Sequence, residues 1–387
     1  MYFSIRRIIM KPETAKSAQS GLSRCKRLSI FIVLITLMAV FLVACSNQEA
    51  DSDVTAVNPT VTVDEGVALP QFDTAVLLCS QQAKQVFDDE LKITDAVLSG
   101  APYRPFVFEY LLENSSGTLL LSEDVSLANA QEFYLDKEKT SVTIDNLKTG
   151  TTYYYQVEVA GKQYSGSFHT ASANRFISVP GVENLRDIGG YKTLDGKTVK
   201  QGLLIRGCEL DGLQNEDYFV SSQDIANMQE TFGFVCDLDL RSPDIIEGAY
   251  QSVLGDQVRH KFYDAPSYTQ IFRDDYLDSM REIFADLADP NNYPMYLHCT
   301  WGRDRTGTIV LLLQGLLNVS EEDALLEYRL TGFVKASVAS SNKMDSLFIQ
   351  LNAYKGDTLQ EKIIDYLTNT VGVTPEEIAS IQSIFLE

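Results

Sequence analysis

The chain has 387 residues, with 53 acidic side chains against 32 basic ones and a net charge of −21. That length holds two domains beyond any targeting segment, and the acidity excludes nucleic acid as a partner, whose backbone demands a basic surface. The three histidines (His169, His260 and His298) are too few for a histidine-rich metal site, and none of the six cysteines has zinc-site spacing.

Residues 1–44 read as a lipoprotein signal peptide. Arg24, Lys26 and Arg27 precede an apolar stretch, 28–44, that ends Leu42-Val43-Ala44-Cys45. Small residues before a cysteine at the end of such a stretch resemble a bacterial lipobox, which implies cleavage before Cys45 and lipidation of its sulfur. The competing reading is an uncleaved span, because these 17 residues are marginally long enough to cross a membrane. Either anchor leaves the positive flank in the cytoplasm. The folded domains are then expected on the extracytoplasmic face of a bacterial membrane. Loss of residues 1–44, with seven basic and one acidic residue, leaves 25 Lys+Arg against 52 Asp+Glu, a net of −27. Residues 45–60 are polar and read as a flexible tether.

From 61 to 172 the pattern is short strands broken by turn residues, expected over 106–110, 118–122, 141–144, 153–159 and 164–168. Period-two alternation at this spacing points to a small all-β sandwich. The segment Leu-Lys-Thr-Gly-Thr-Thr-Tyr-Tyr-Tyr-Gln-Val at 147–157 resembles the strand–turn–strand corner of fibronectin type III domains, in which a tyrosine hydroxyl bonds back to the loop. No chemistry-bearing motif falls here, so the region reads as a spacer or interaction module.

Residues 173–387 turn to an α/β texture. Buried strands are expected at 203–205, 234–240 and 293–298. Helices are expected at 223–231, 276–288, 308–317, 320–332, 340–354, 358–369 and 374–385. Ser320-Glu-Glu-Asp and Thr374-Pro-Glu-Glu supply hydroxyl caps, acidic first turns and, in the second, a proline at the first position.

Between the strand ending at 298 and the helix expected from 308 stands His-Cys-Thr-Trp-Gly-Arg-Asp-Arg-Thr-Gly, residues 298–307. A loop from a strand end to a helix N-terminus presents unpaired amides to a tetrahedral anion. Cys299, beneath those dipoles and beside His298, is expected as a thiolate nucleophile. Arg305, with five residues between it and the cysteine, offers a bidentate fork to two phosphate oxygens. Thr306 is placed to donate its hydroxyl to the sulfur and make it a better leaving group. Thr300, Trp301 and Gly302 complete the cradle, and Arg303 adds charge for a phosphate-rich substrate. A carboxylic acid must protonate the leaving oxygen; Asp304 in the loop and Asp239 at a strand end are both candidates. Cys208 or Cys236 is available for a reversible disulfide with Cys299, or both remain buried thiols.

This decapeptide, with Asn184-Leu-Arg-Asp-Ile-Gly-Gly-Tyr191, Gly202-Leu-Leu-Ile-Arg206 and Asp239-Leu-Arg-Ser242, resembles the bacterial tyrosine/serine protein phosphatase family over 175–387. The resemblance implies a phosphocysteine mechanism with no metal or other cofactor, on a mostly parallel sheet flanked by helices. Its expected substrates are phosphotyrosine, phosphoserine or phosphothreonine on a protein, or a phosphoinositide. Arg186 and Asp187 are expected to brace the loop, with Asp187 a third acid candidate. Two positions depart from the family: Arg303 stands where lysine is usual, and Trp301 where smaller residues are common. Trp301 either floors the pocket and stacks on a phenyl ring or narrows it. Two other readings stand beside this one: an inositol polyphosphate phosphatase, favoured by Arg303, and a surface lipoprotein that only holds phosphorylated ligands.

Overall fold

Alternating apolar side chains build the first half of the fold. β1 (Thr60–Val63), β2 (Val67–Pro70), β3 (Phe106–Glu109), β4 (Leu111–Leu112), β5 (Gly117–Ser122), β6 (Gln131–Leu135), β7 (Ser141–Ile144), β8 (Thr152–Val159) and β9 (Lys162–His169) follow without a helix among the described residues. They form antiparallel sheets in the orders β1-β2-β4, β3-β7 and β6-β5-β8-β9. Phe106 and Phe108 of β3, Leu119 and Leu121 of β5, and Tyr153 and Val157 of β8 bury into one apolar cluster. A two-residue turn, Ala160-Gly161 with φ of 51° and 75°, joins β8 to β9; both residues have the positive φ that matches strand twist. The Tyr153 hydroxyl accepts from the Lys148 N–H at 2.8 Å.

The computed structural model describes residues 60–63, 67–70, 105–172, 174–245, 251–333 and 343–387, all within the unit Thr55–Glu387. The expected signal peptide with Cys45 and, but for Thr60, the tether lie outside the described residues. So does the start of the helix expected at 340. No helix among the described residues is long and apolar enough to cross a membrane.

The second half is a mixed α/β fold. Its sheet runs β10 (Arg186–Asp187), β11 (Leu204–Gly207), β14 (Met295–His298), β12 (Cys236–Asp239) and β13 (Arg259–Phe262), parallel except for β10. β11, β12 and β14 are buried at every residue, as strands covered on both faces must be. The helices are α1 (Ser222–Phe232), α2 (Leu277–Leu287), α3 (Asp304–Leu316), α4 (Glu321–Arg329), α5 (Lys343–Leu351), α6 (Leu359–Tyr366) and α7 (Pro375–Phe385). Met295 and Leu297 of β14 pack into a core shared with α2 to α7, while Tyr296 points to the other face, toward Met228 of α1. The side chains of Ser320 and Thr374 accept from Asp323 N and Glu377 N as caps.

Three departures from the sequence reading bear on the second half of the fold. β10 and β13 form where no strand is expected; neither has an apolar run, and each is held as an outer strand by its neighbour. The helix expected at 358–369 ends at Tyr366 and closes in a wider turn, Leu367–Val371, before Gly372 at φ 86°. Most consequential, α3 begins at Asp304, four residues before the expected 308. Its first turn is polar and lies outside the apolar periodicity, so Asp304, Arg305 and Thr306 are helical residues rather than loop residues.

Candidate active site

Between β14 and α3 the chain must turn sharply, and Gly302 makes the turn at φ 59°. A Cβ there would meet the Gly207 carbonyl oxygen at 2.1 Å, so only glycine fits against β11. The outward carbonyls of the loop are all taken. Thr300 O accepts from Glu209 N at 3.0 Å, and Asn184 Nδ2 donates to Trp301 O and Gly302 O at 3.0 Å each. Arg206 also donates to Gly302 O. Because a trans peptide points its N–H opposite its C=O, tying these carbonyls back turns the following amides toward the cavity.

Behind the loop, Glu327 holds two arginines at once, Arg186 Nε at 2.7 Å and Arg206 Nη1 at 2.7 Å, with all three side chains at most 1 % exposed. Burial and the Arg186 charge lower the Arg206 pKa to about 10, opposed by Glu327, so Arg206 stays cationic at neutral pH. Arg186 therefore braces the loop indirectly, through Asn184 and Glu327. Asp187 does not reach the loop: its carboxylate accepts from Arg175, Gly189 N and Gly202 N and ties the β10–β11 connection. Glu327→Gln should destabilise the fold by about 3–5 kcal/mol, since it leaves two buried guanidinium groups without a counter-charge. Chemical denaturation measures this; a loss under 1 kcal/mol would mean the arginines find other partners.

Cys299, Asp304, Arg305, Trp301, Arg303 and Tyr268 line one cavity of about 880 Å³. Cys299 is 4 % exposed and unpaired. Arg305 Nη2 donates to Ser242 Oγ at 3.0 Å, and Ser242 Oγ donates to Asp264 at 3.0 Å, so the loop after β12 aims the guanidinium. The Thr306 hydroxyl is buried and has no hydrogen-bond partner among the described residues. Asp304 accepts from Tyr268 Oη and, at 2.8 Å, from Arg303 Nε. Arg303 also stands 5.2 Å over the Trp301 ring, which meets Tyr218 edge-on at 6.3 Å. Trp301 is thus a wall of the cavity, held between Tyr218 and Arg303. Tyr268 and Lys343, which the sequence reading missed, come from a short turn and from the start of α5. Nothing local marks them.

The two expected acids separate. Asp304 faces the cavity, whereas Asp239 is fully buried beneath it. Arg241 grips Asp239 through Nε at 3.0 Å and Nη2 at 2.7 Å, and also pairs with Glu209 and Asp211 at 2.7 Å each. Burial pushes the Asp239 pKa up, but the charge of His298 and the bonds from His260 and Arg241 outweigh it and hold this carboxyl well below the ordinary range. His298 lies on the sheet face opposite Cys299, its Nε2 3.1 Å from Asp237 Oδ1 and 3.9 Å from Asp239 Oδ2. Burial opposes its charge, yet the two carboxylates raise its pKa from 6.5 to about 9.

A raised pKa stabilises the fold fully below the unfolded value of 6.5 and loses that contribution as pH climbs through about 9. The depressed pKa of Asp239 acts in reverse, losing its contribution only in acid. Stability should therefore drop by on the order of 3 kcal/mol between pH 6.5 and pH 9.5, and His298→Asn should lack most of that slope. Equal slopes in both proteins would place the titrating group elsewhere.

Cys236 sits opposite Met295, four residues from Cys299 along β14, or about 13 Å at ~3.3 Å per residue. That separation exceeds disulfide reach. Cys208 follows Gly207, which pairs with His298; burial pushes its thiol up to about 12. Among the described residues no group of three or more His, Cys, Asp or Glu is placed to hold a metal.

Comparison with known proteins agrees with this geometry. A Cupriavidus necator protein whose name reads "Putative tyrosine-protein phosphatase" is 28 % identical over 173 residues, covering 38 % of this chain. The chain spans 59 % of that relative's length. The sequence model of the tyrosine phosphatase family matches residues 177–387, more than half of the chain and all of the sheet that carries the cavity. The chain belongs to the tyrosine phosphatase family.

Proposed function

We propose that the chain hydrolyses phosphate monoesters through a phosphocysteine intermediate, with phosphotyrosine on proteins as the leading substrate. The observation that carries this reading is the convergence of Cys299, Arg305 and Asp304 on one cavity, under a loop whose carbonyls are tied back so that its amides face inward. Cys299 Sγ attacks phosphorus while the bond to the ester oxygen breaks, and Asp304 gives that oxygen its proton. Arg305 and the loop amides hold the three equatorial oxygens. Asp304, now a carboxylate, takes a proton from water as the water attacks phosphorus. The S–P bond breaks, and the Thr306 hydroxyl donates to the departing thiolate. No step needs a metal, so EDTA should leave the rate unchanged. Inhibition reversed by a divalent ion would point to another mechanism.

Phosphoserine, phosphothreonine and phosphoinositides are further candidates. Arg303, which lines the same cavity as Cys299, favours a phosphate-rich ligand, which keeps inositol polyphosphates as a second reading. Turnover of a phosphopeptide and phosphoinositide panel by the residue 46–387 protein tests both. Turnover of none, with phosphate still bound, would leave a ligand-holding module.

We place the protein on the extracytoplasmic face of a bacterial membrane, anchored through Cys45, with a fibronectin type III-like sandwich as spacer or interaction module. The Tyr153 hydroxyl bond to Lys148 N supports that likeness. Mass spectrometry of the mature protein should find Cys45 first and acylated; an intact, unmodified leader would restore the membrane-spanning reading.

A further inference from the structure

Asp304 is held by a segment far from it in sequence. Tyr268 opens the short 3-10 turn Tyr268–Phe272 at φ 54°, a conformation costly for a bulky side chain unless its surroundings impose it. They do so from two directions. The Tyr268 N–H donates to Thr308 Oγ1 at 2.8 Å, and Thr308 Oγ1 donates to Asp304 O at 2.8 Å. At the other end the Tyr268 hydroxyl donates to Asp304 Oδ1. Both ends of one residue thus grip the first turn of α3. Tyr328 Oη, from α4, stands 2.7 Å from Tyr268 Oη, and both rings are at most 9 % exposed.

A phenol has one proton to give. With the Tyr268 proton directed at Asp304, the Tyr328 hydroxyl donates to Tyr268 and fixes its rotation. An ionised carboxylate oxygen accepts such a bond, and so does the unprotonated oxygen of a neutral carboxyl. The contact at Oδ1 therefore survives both protonation states that an acid-then-base residue must pass through. We infer that Tyr268, backed by Tyr328, is a positioning residue that clamps Asp304 through Oδ1, so that proton exchange with the leaving oxygen and with water falls to Oδ2, the oxygen that also accepts from Arg303 Nε at 2.8 Å. The inference rests on the reading of Asp304 as the general acid. Burial, with the bonds to Asp304 and Tyr328, holds the Tyr268 pKa well above its ordinary value, so Tyr268 stays a phenol across the working range.

The test uses Tyr268→Phe and Tyr328→Phe in the full chain, with phosphotyrosine as the poor leaving group and 4-nitrophenyl phosphate as the activated one. Tyr268→Phe should slow phosphotyrosine turnover about 10-fold, a fraction of the ~10²–10⁴ that a general acid supplies. It should leave the activated ester and the inhibition constant of vanadate within about twofold. Tyr328→Phe should show the same split, smaller. In the Asp304→Asn background Tyr268→Phe should add nothing, because both act through one proton. Equal losses on the two esters, or an additive double variant, would overturn the positioning role. If Tyr268→Phe does not fold, the split in Tyr328→Phe decides alone. The two readings fail differently. If Asp304→Asn slows both esters alike, the acid assignment is wrong; if it splits them and neither tyrosine variant does, only the positioning is wrong.

Discussion

Cys299→Ser is expected to lower turnover by about 10⁴–10⁶-fold, the scale on which loss of a covalent nucleophile reads out. A serine hydroxyl is a far weaker nucleophile than a cysteine sulfur and stays protonated at neutral pH. The anion cradle does not depend on sulfur: Asn184, Arg206 and Glu209 tie back the loop carbonyls whatever atom stands at 299. Phosphate and vanadate should therefore bind the variant within a few-fold of wild type. Calorimetric titration with vanadate, beside a turnover assay, separates chemistry from binding. Residual hydrolysis near the wild-type rate would rule out the phosphocysteine route, and loss of vanadate binding would show that the thiol holds the loop together.

Asp304→Asn should act selectively, slowing an unactivated ester such as phosphotyrosine or an alkyl phosphate by about 10²–10⁴-fold while sparing an activated aryl phosphate. Leaving oxygens of low basicity need little help from a proton donor. Asp239→Asn should behave otherwise. It removes a buried counter-charge of Arg241 and His298, so its main effect should be on stability, about 3–5 kcal/mol, with whatever activity remains falling equally on both esters. Leaving-group selectivity in Asp239→Asn and none in Asp304→Asn would reverse the assignment.

The strand–loop–helix that brings Cys299 and Arg305 to one cavity is legible in residues 298–307, because that motif is local in the chain. The α/β class of the second half of the fold is also legible, since strands buried on both faces and amphipathic helices leave distinct periodicities. The short β10 and β13 escape, having no apolar run. They pair because β11 and β12 offer free edges, a property of the assembled sheet.

What the sequence by itself could not decide is how far apart its carboxylates lie in environment. Asp239 and Asp304 are equally plausible on paper, since each stands near an arginine and a strand end. The tertiary structure buries the first among Arg241, His260 and His298 and opens the second to the cavity. The same holds for the supports of the site. The bonds that tie Asn184 and Arg206 to the loop, and Arg186 and Arg206 to Glu327, span 96 to 141 residues; Tyr268 and Tyr328 are separated by 60. Periodicity and motif spacing report on neighbours along the chain. Burial and charge pairing across such separations exist only once the sheet and α3 to α5 have packed, and these decide which carboxylate faces the cavity and which is a buried counter-ion.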